Sequence, residues 1–169
     1  ETLGLHYAMP WPNRELDTAR PLRRSPVYHL LKAQGACFGS KMGWERANWF
    51  APRGMQPQVE YSFGRQNWFA AIAAEHRAAR EAVALFDMTS FSKLLVTGRD
   101  AEDALQYLCA NDIAVAPGRT VYTGMLNERG GYESDFTVTR CAPDEFLIVT
   151  GSAQATRDLD FITRHVPRD

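Results

Sequence analysis

The chain has 169 residues, 45% hydrophobic and 23% charged, with nineteen basic and twenty acidic side chains and a formal charge of −1. That length and composition suit an ordinary globular protein with one good core, or one core and an appendage. A charge so close to zero argues against non-specific binding to nucleic acid or an anionic membrane. No apolar run approaches the roughly 20 residues of a transmembrane helix.

Residues 1–67 hold six of the nine prolines (Pro10, Pro12, Pro21, Pro26, Pro52 and Pro57) and show little sustained periodicity. Proline fixes φ and removes a backbone donor, so this density disfavours long helices and central strands. Ser25-Pro26 marks the start of a turn or two of helix over 27–34, and glycines at 35, 39 and 43 break the pattern. Arg20, Arg23 and Arg24 read as a local ion-pair site. Trp11, Tyr28, Phe38, Trp44, Trp49, Phe50, Tyr61 and Phe63 bring aromatic surface that must be buried against something. The segment therefore reads as a loop-rich connector packed on a neighbouring domain. Its opening, Glu-Thr-Leu-Gly without an initiator Met, suggests a processed chain or a piece of a longer one.

From Trp68 the signals become regular. The spacing predicts a helix over 68–84, with apolar positions 68, 69, 72, 73 and 79, then a strand over 92–97. Asp100 is placed to cap a helix over 101–110, whose first turn carries Glu102 and Asp103. Pro117-Gly118 punctuates a loop. Strands over 120–126 and 132–140 form a hairpin, followed by a strand over 146–150 and a helix over 153–165 with Leu159 and Ile162 on one face. The fold class is α+β, a largely antiparallel sheet with helices packed on it, preceded by the connector.

Several chemistries lack their motifs. There is no dinucleotide fingerprint, P-loop or nucleophile elbow. His6, His29, His76 and His165 have no ligand-like spacing, so no metal site is predicted. Cys37, Cys109 and Cys141 are odd in number and form no CxxC, which suits a reducing compartment, cytosol or mitochondrial matrix; Cys109 reads as core.

The most informative stretch is 126–138, a strand, a glycine turn and a second strand with Glu133 and Asp135 just beyond the turn. Strict alternation points those two carboxylates the same way and Ser134 opposite. With Phe136 and Val138 as neighbours, Asp135 is expected near apolar packing, where a charge needs a partner or a ligand. Asp135 with Glu133 could orient a protonated amine or ring nitrogen or act as a base; equally, Asp135 could be a strand-end carboxylate paired to Arg119, Arg129 or Arg140. Gly130-Gly131 supplies positive φ at the turn or close approach to a ligand. Residues 86–91 form a capping loop or an aromatic wall facing the same cavity.

Together, Phe86-Asp87-Met88-Thr89-Ser90-Phe91, Asn111-Asp112-Ile113, Tyr122-Thr123-Gly124-Met125-Leu126-Asn127 and Gly130-Gly131-Tyr132-Glu133-Ser134-Asp135 resemble the folate-binding aminomethyltransferase family, which includes the glycine cleavage T-protein. The closer resemblance is to the branch fused to flavin amine dehydrogenases, the sarcosine and dimethylglycine dehydrogenases. The regulatory subunit of pyruvate dehydrogenase phosphatase is similar too. Residues 43–54 look like the connector after the flavin domain of those fusions. The resemblance implies residues 1–67 as that connector and 68–169 as the first lobe of the aminomethyltransferase fold. It implies Asp135 as the catalytic contact to the pterin of tetrahydrofolate, with Phe91, Tyr122, Leu147 and Val149 around the same pocket. It also implies FAD, an N-methyl amine substrate and further folate contacts in domains outside this chain. T-proteins carry two adjacent acids where Ser134-Asp135 stands here, and commonly Met at the place of Phe91.

The resulting expectation is a one-carbon transfer lobe of a flavin-linked N-methyl amine dehydrogenase, inactive when separated from its parent. The alternative is a regulatory or binding module with the same fold. The one-carbon reading expects Asp135 to face an enclosed hollow large enough for a pteridine.

Overall fold

The structure, a computed structural model, describes residues 7–9 and 14–166. The expectations for the opening residues, His6, Pro10, Trp11, Pro12 and Pro167 lie outside these residues. Backbone contacts divide the chain into two compact units, Glu1–Ser90 and Phe91–Asp169.

The first unit contains helix α1 (Tyr28–Ala33), strands β1 (Ala36–Lys41) and β2 (Trp44–Phe50), and helix α2 (Phe69–Glu81). β1 and β2 form an antiparallel hairpin. Proline content had argued against regular structure, but no proline lies between Pro26 and Pro52, and the hairpin occupies that gap. Its two-residue turn, Met42-Gly43, has φ of 52° and 82° at the two positions, the conformation that matches the twist of paired strands. Helix α2 packs with this hairpin: Glu75 Oε1 accepts the Phe50 N–H at 2.8 Å, and Ala71 joins Cys37 and Trp49 in a small core. Trp49 and Tyr28 are thus buried within the unit itself, whereas Tyr61 and Phe63 remain exposed. The arginine cluster is an ion-pair site at Arg20, which donates to both carboxylate oxygens of buried Glu45 at 2.8 and 2.9 Å and lies near Glu15 and Asp17.

The second unit runs β3 (Ser92–Thr97), α3 (Ala101–Leu108), β4 (Thr120–Leu126), β5 (Tyr132–Ala142), β6 (Glu145–Thr150) and α4 (Ala155–His165). The strands form one antiparallel sheet in the order β3-β6-β5-β4. This is the α+β arrangement expected from the sequence, with strand limits close to those predicted. The core lies on one face of the sheet: Met125, Phe136, Val138, Phe146 and Ile148 pack with Ala101, Leu105 and Leu108 of α3 and Ile162 of α4. Burial alternates along β5 and β6, so side chains of opposite parity emerge on a second face. Asp100 precedes α3 but makes no capping hydrogen bond; it lies exposed, 3.6 Å from Arg99. The macrodipole preference of the first turn is met by Glu102 and Asp103 alone.

Candidate functional site

The open face of the second unit's sheet gathers most of the candidate residues, and strand register is what does it. Tyr122 pairs with Thr137, which pairs with Val149; Thr139 pairs with Leu147; Asp135 pairs with Gly124. Asp135, Tyr122, Val149 and Leu147 therefore lie within neighbouring rows of one face. Phe91 stands one residue before β3 and is half-buried. Tyr122 donates its hydroxyl to Asp135 Oδ2 at 2.7 Å, and this bond holds the phenol above its ordinary value near 10. None of Arg119, Arg129 and Arg140 pairs with Asp135 among the described residues. Arg140 is engaged by Glu102 at 2.6 Å and by the carbonyls of Val115 and Pro143.

Two expectations about the carboxylates are corrected. Asp135 is exposed and does not lie in an enclosed hollow. Alternation gives the apolar face to Phe136 and Val138, so proximity in sequence puts them on the opposite side from Asp135. A cleft of about 560 Å³ does exist in this unit, but it is lined by residues such as Tyr107, Leu126, Arg129, Phe161 and His165, away from Asp135. Nor do Glu133 and Asp135 act as a pair. A register shift between Met125 and Leu126 leaves Glu133 as an extra residue in β5. Glu133 instead accepts from Asn127 Nδ2 at 2.9 Å and from Arg157 at 2.6 Å, which keeps its carboxyl below the ordinary 4.5.

The turn before β5 is held by Asn127, whose Oδ1 accepts the backbone N–H groups of Arg129 and Gly131. Gly130 takes a φ of 76°, as the glycine pair led one to expect. Residues Asn111-Asp112-Ile113 fix the loop ahead of β4. Asn111 donates through its side chain to the Tyr122 carbonyl at 2.7 Å and through its backbone to Thr123 Oγ1. Asp112 accepts from Gln106 and from Ala114 N–H, contacts that hold its carboxyl low. Tyr122 is thereby anchored at its backbone as well as at its hydroxyl. Cys109 is buried core, its thiol pushed up to about 11 by that burial.

Sequence reasoning overlooked Asp158. It is fully buried, and its Oδ2 accepts the hydroxyls of Ser134 at 2.9 Å and Thr150 at 2.6 Å; Oδ1 has no partner among the described residues. The signal was present: Asp158 lies four residues before Ile162 and so shares the core-facing side of α4. Ser134 and Thr150 adjoin Asp135 and Val149 respectively, so this carboxylate ties α4 to β5 and β6 directly behind the open-face candidates.

The profile of the GCVT N-terminal domain matches residues 27–169. The chain belongs to that family. This GCVT-family chain is 46% identical over 164 residues to 4-methylaminobutanoate oxidase (formaldehyde-forming) of Paenarthrobacter nicotinovorans, covering 97% of this chain and 20% of that protein. It is 36% identical over 174 residues to the mitochondrial pyruvate dehydrogenase phosphatase regulatory subunit of Mus musculus, covering 100% of this chain and 20% of that one. Mammalian mitochondrial sarcosine and dimethylglycine dehydrogenases match as well. Among solved structures, glycine cleavage system aminomethyltransferase T from Bartonella henselae is similar with a TM-score of 0.68 and 26% identity, over 85% of this chain and 35% of its own. The family chain thus carries an aminomethyltransferase-like domain related to N-methyl amine dehydrogenases, and it spans about a fifth of the length of the curated relatives it matches. Among the described residues, no helix is long and apolar enough to cross a membrane.

Proposed function

We propose that this chain is the folate-binding, one-carbon transfer lobe of a longer flavin-linked N-methyl amine dehydrogenase. The observation that carries the reading is the oriented carboxylate: Asp135 receives the Tyr122 hydroxyl and has no ion pair among the described residues, on a face shared with Leu147 and Val149. A carboxylate with unused lone pairs beside half-buried aliphatic side chains suits a flat ring that presents N–H groups. That chemistry fits a pterin. The open face means that the remaining walls would come from the rest of the longer chain, together with the flavin domain; none of the residues discussed is assigned to FAD.

Bound tetrahydrofolate would supply a nucleophilic nitrogen for the one-carbon unit released by amine oxidation. Asp135 would accept a proton or hydrogen bond from a ring nitrogen, leaving the nitrogen lone pair available for attack. Tyr122 would keep Asp135 in one rotamer, and Leu147 and Val149, with Phe91 beside β3, would exclude water from one face of the ring. A reducing, non-membrane setting, cytoplasmic or mitochondrial, accords with this proposal.

Titration of tetrahydrofolate into the 15N-labelled chain under anaerobic conditions tests it. Weak binding is expected, because most of the ligand stays in water, with perturbed amides at Tyr122, Asp135 and Val149 that vanish in Asp135→Ala. No perturbation at these amides overturns the folate reading, and tight binding overturns the need for further walls. A regulatory module is the second reading, favoured by the match to the phosphatase regulatory subunit along the whole chain. Amine oxidation by a longer protein containing this chain separates the two: stimulation by tetrahydrofolate that is lost in Asp135→Ala supports transfer, and its absence supports the module.

A further inference from the structure

Even-numbered residues of β5 belong to the helix-covered face, as buried Ser134, Phe136 and Val138 demonstrate. Tyr132 is even-numbered, yet it is 68% exposed. The bulge explains this. Register runs from Met125↔Ser134 to Leu126↔Tyr132, so Glu133 is an inserted residue, and one insertion reverses the face of what lies beyond it. Tyr132 consequently shares a face with Leu126, Gly124 and Tyr122. In effect, the bulge exchanges the second carboxylate that strict alternation had placed beside Asp135 for a phenol.

The ring of Tyr132 lies over Gly124. A Cβ built on Gly124 would stand 2.5 Å from Tyr132 Cε1, 3.0 Å from Cζ and 3.2 Å from the hydroxyl oxygen. Any side chain larger than glycine would therefore displace the ring. Gly124 is also the cross-strand partner of Asp135. Asp135 thus has Tyr122 on one side, donating its hydroxyl, and the Tyr132 ring over its paired residue on the other.

We infer that Tyr132 is a ligand-positioning residue of the Asp135 face, an aromatic wall against which the planar ring of a pterin rests. This assignment depends on the folate reading above and sharpens it to the pterin end of the ligand. A purely structural account also exists, since an aromatic ring laid across a glycine shields an edge strand. That role is indifferent to ligand and is satisfied by an aliphatic side chain.

The test titrates 6-methyltetrahydropterin and p-aminobenzoylglutamate separately into the wild-type chain, Y132A, Y132F, Y132L, G124A and the double variant Y132A/G124A, following amide shifts. Y132A and Y132L are expected to weaken the pterin about three- to tenfold, the range of a single aromatic contact, and to leave p-aminobenzoylglutamate unaffected. Y132F should restore the affinity lost in Y132A. G124A, which pushes the ring aside, should lose as much as Y132A, and the double variant no more than either alone. Y132L keeps the glycine covered, so a fold maintained by shielding remains intact in it. Wild-type pterin affinity in Y132L, or a loss confined to p-aminobenzoylglutamate, overturns the assignment. Failure of the wild-type chain to bind either pterin or tetrahydrofolate overturns the folate reading itself, and is recognised before any variant is measured.

Discussion

Asp135 and Asp158 are both carboxylates that accept hydroxyl hydrogen bonds in the second unit, and they differ in which face of one sheet they serve. Asp158 lies in the covered layer, with no exposure and two hydroxyl donors from adjacent strands. Asp135 lies on the open face with a single phenol donor. Adjacent residues divide between them: Ser134 turns inward to Asp158, and Asp135 outward to Tyr122. The same functional group therefore acts as an internal strut in one place and as an accessible acceptor in the other. Burial decides, because a carboxylate out of water can be reached only by donors of the protein, as the Asp158 Oδ2 is, whereas an exposed one keeps lone pairs within reach of a ligand.

A third carboxylate sets the upper end of this scale. Glu45 in the first unit is nearly as buried as Asp158 but is paired to Arg20. Arg20→Ala should leave that charge uncompensated and destabilise the unit by roughly 3–5 kcal/mol, read from its denaturant midpoint. Asp158→Ala orphans two buried hydroxyls and removes the tie between α4 and the sheet, with an expected loss of about 2–4 kcal/mol. Asp135→Ala should change stability by no more than about 0.5 kcal/mol. Equal losses for Asp135→Ala and Asp158→Ala would erase the distinction between the two faces.

Titration sharpens the comparison further. The Tyr122 phenol is held above its ordinary value by Asp135, so in absorbance-monitored titration Asp135→Ala should lower its midpoint toward 10. The sign follows from which form is favoured. The neutral phenol is stabilised in the fold, so this contribution is complete below pH 10 and disappears as pH rises through the folded midpoint. Glu133 behaves in the opposite sense: its lowered carboxyl contributes above about pH 4.5 and loses that contribution as pH falls through the folded value. Arg157→Ala should have the smallest effect, a slight loss of stability at neutral pH that vanishes in acid, because the pair is solvent-screened. A large effect at neutral pH would mean that Glu133 does more than secure the bulge to α4.

Much of the second unit was legible beforehand because its signals are local. Alternation in β5 and β6, Pro117-Gly118, and Gly130-Gly131 each restrict φ, ψ or burial within a few residues, and the elements fall where those restrictions put them. The first unit was harder to read, since total proline content concealed a proline-free interval long enough for a hairpin. Asp158 was overlooked for a different reason. An acid in an amphipathic helix normally faces water, and only contact with Ser134 and Thr150 makes its burial tolerable.

By itself, the sequence determined the order of helices and strands, the glycine turn, the family to which the chain belongs, and Asp135 as the candidate acceptor. Tertiary structure decided which side chains share a face. Pairing register is a property of two strands, and a single inserted residue reverses it, turning Glu133 toward Arg157 and bringing Tyr132 over Gly124 beside Asp135. No local pattern in β5 encodes that exchange, because it exists only in the pairing of β5 with β4.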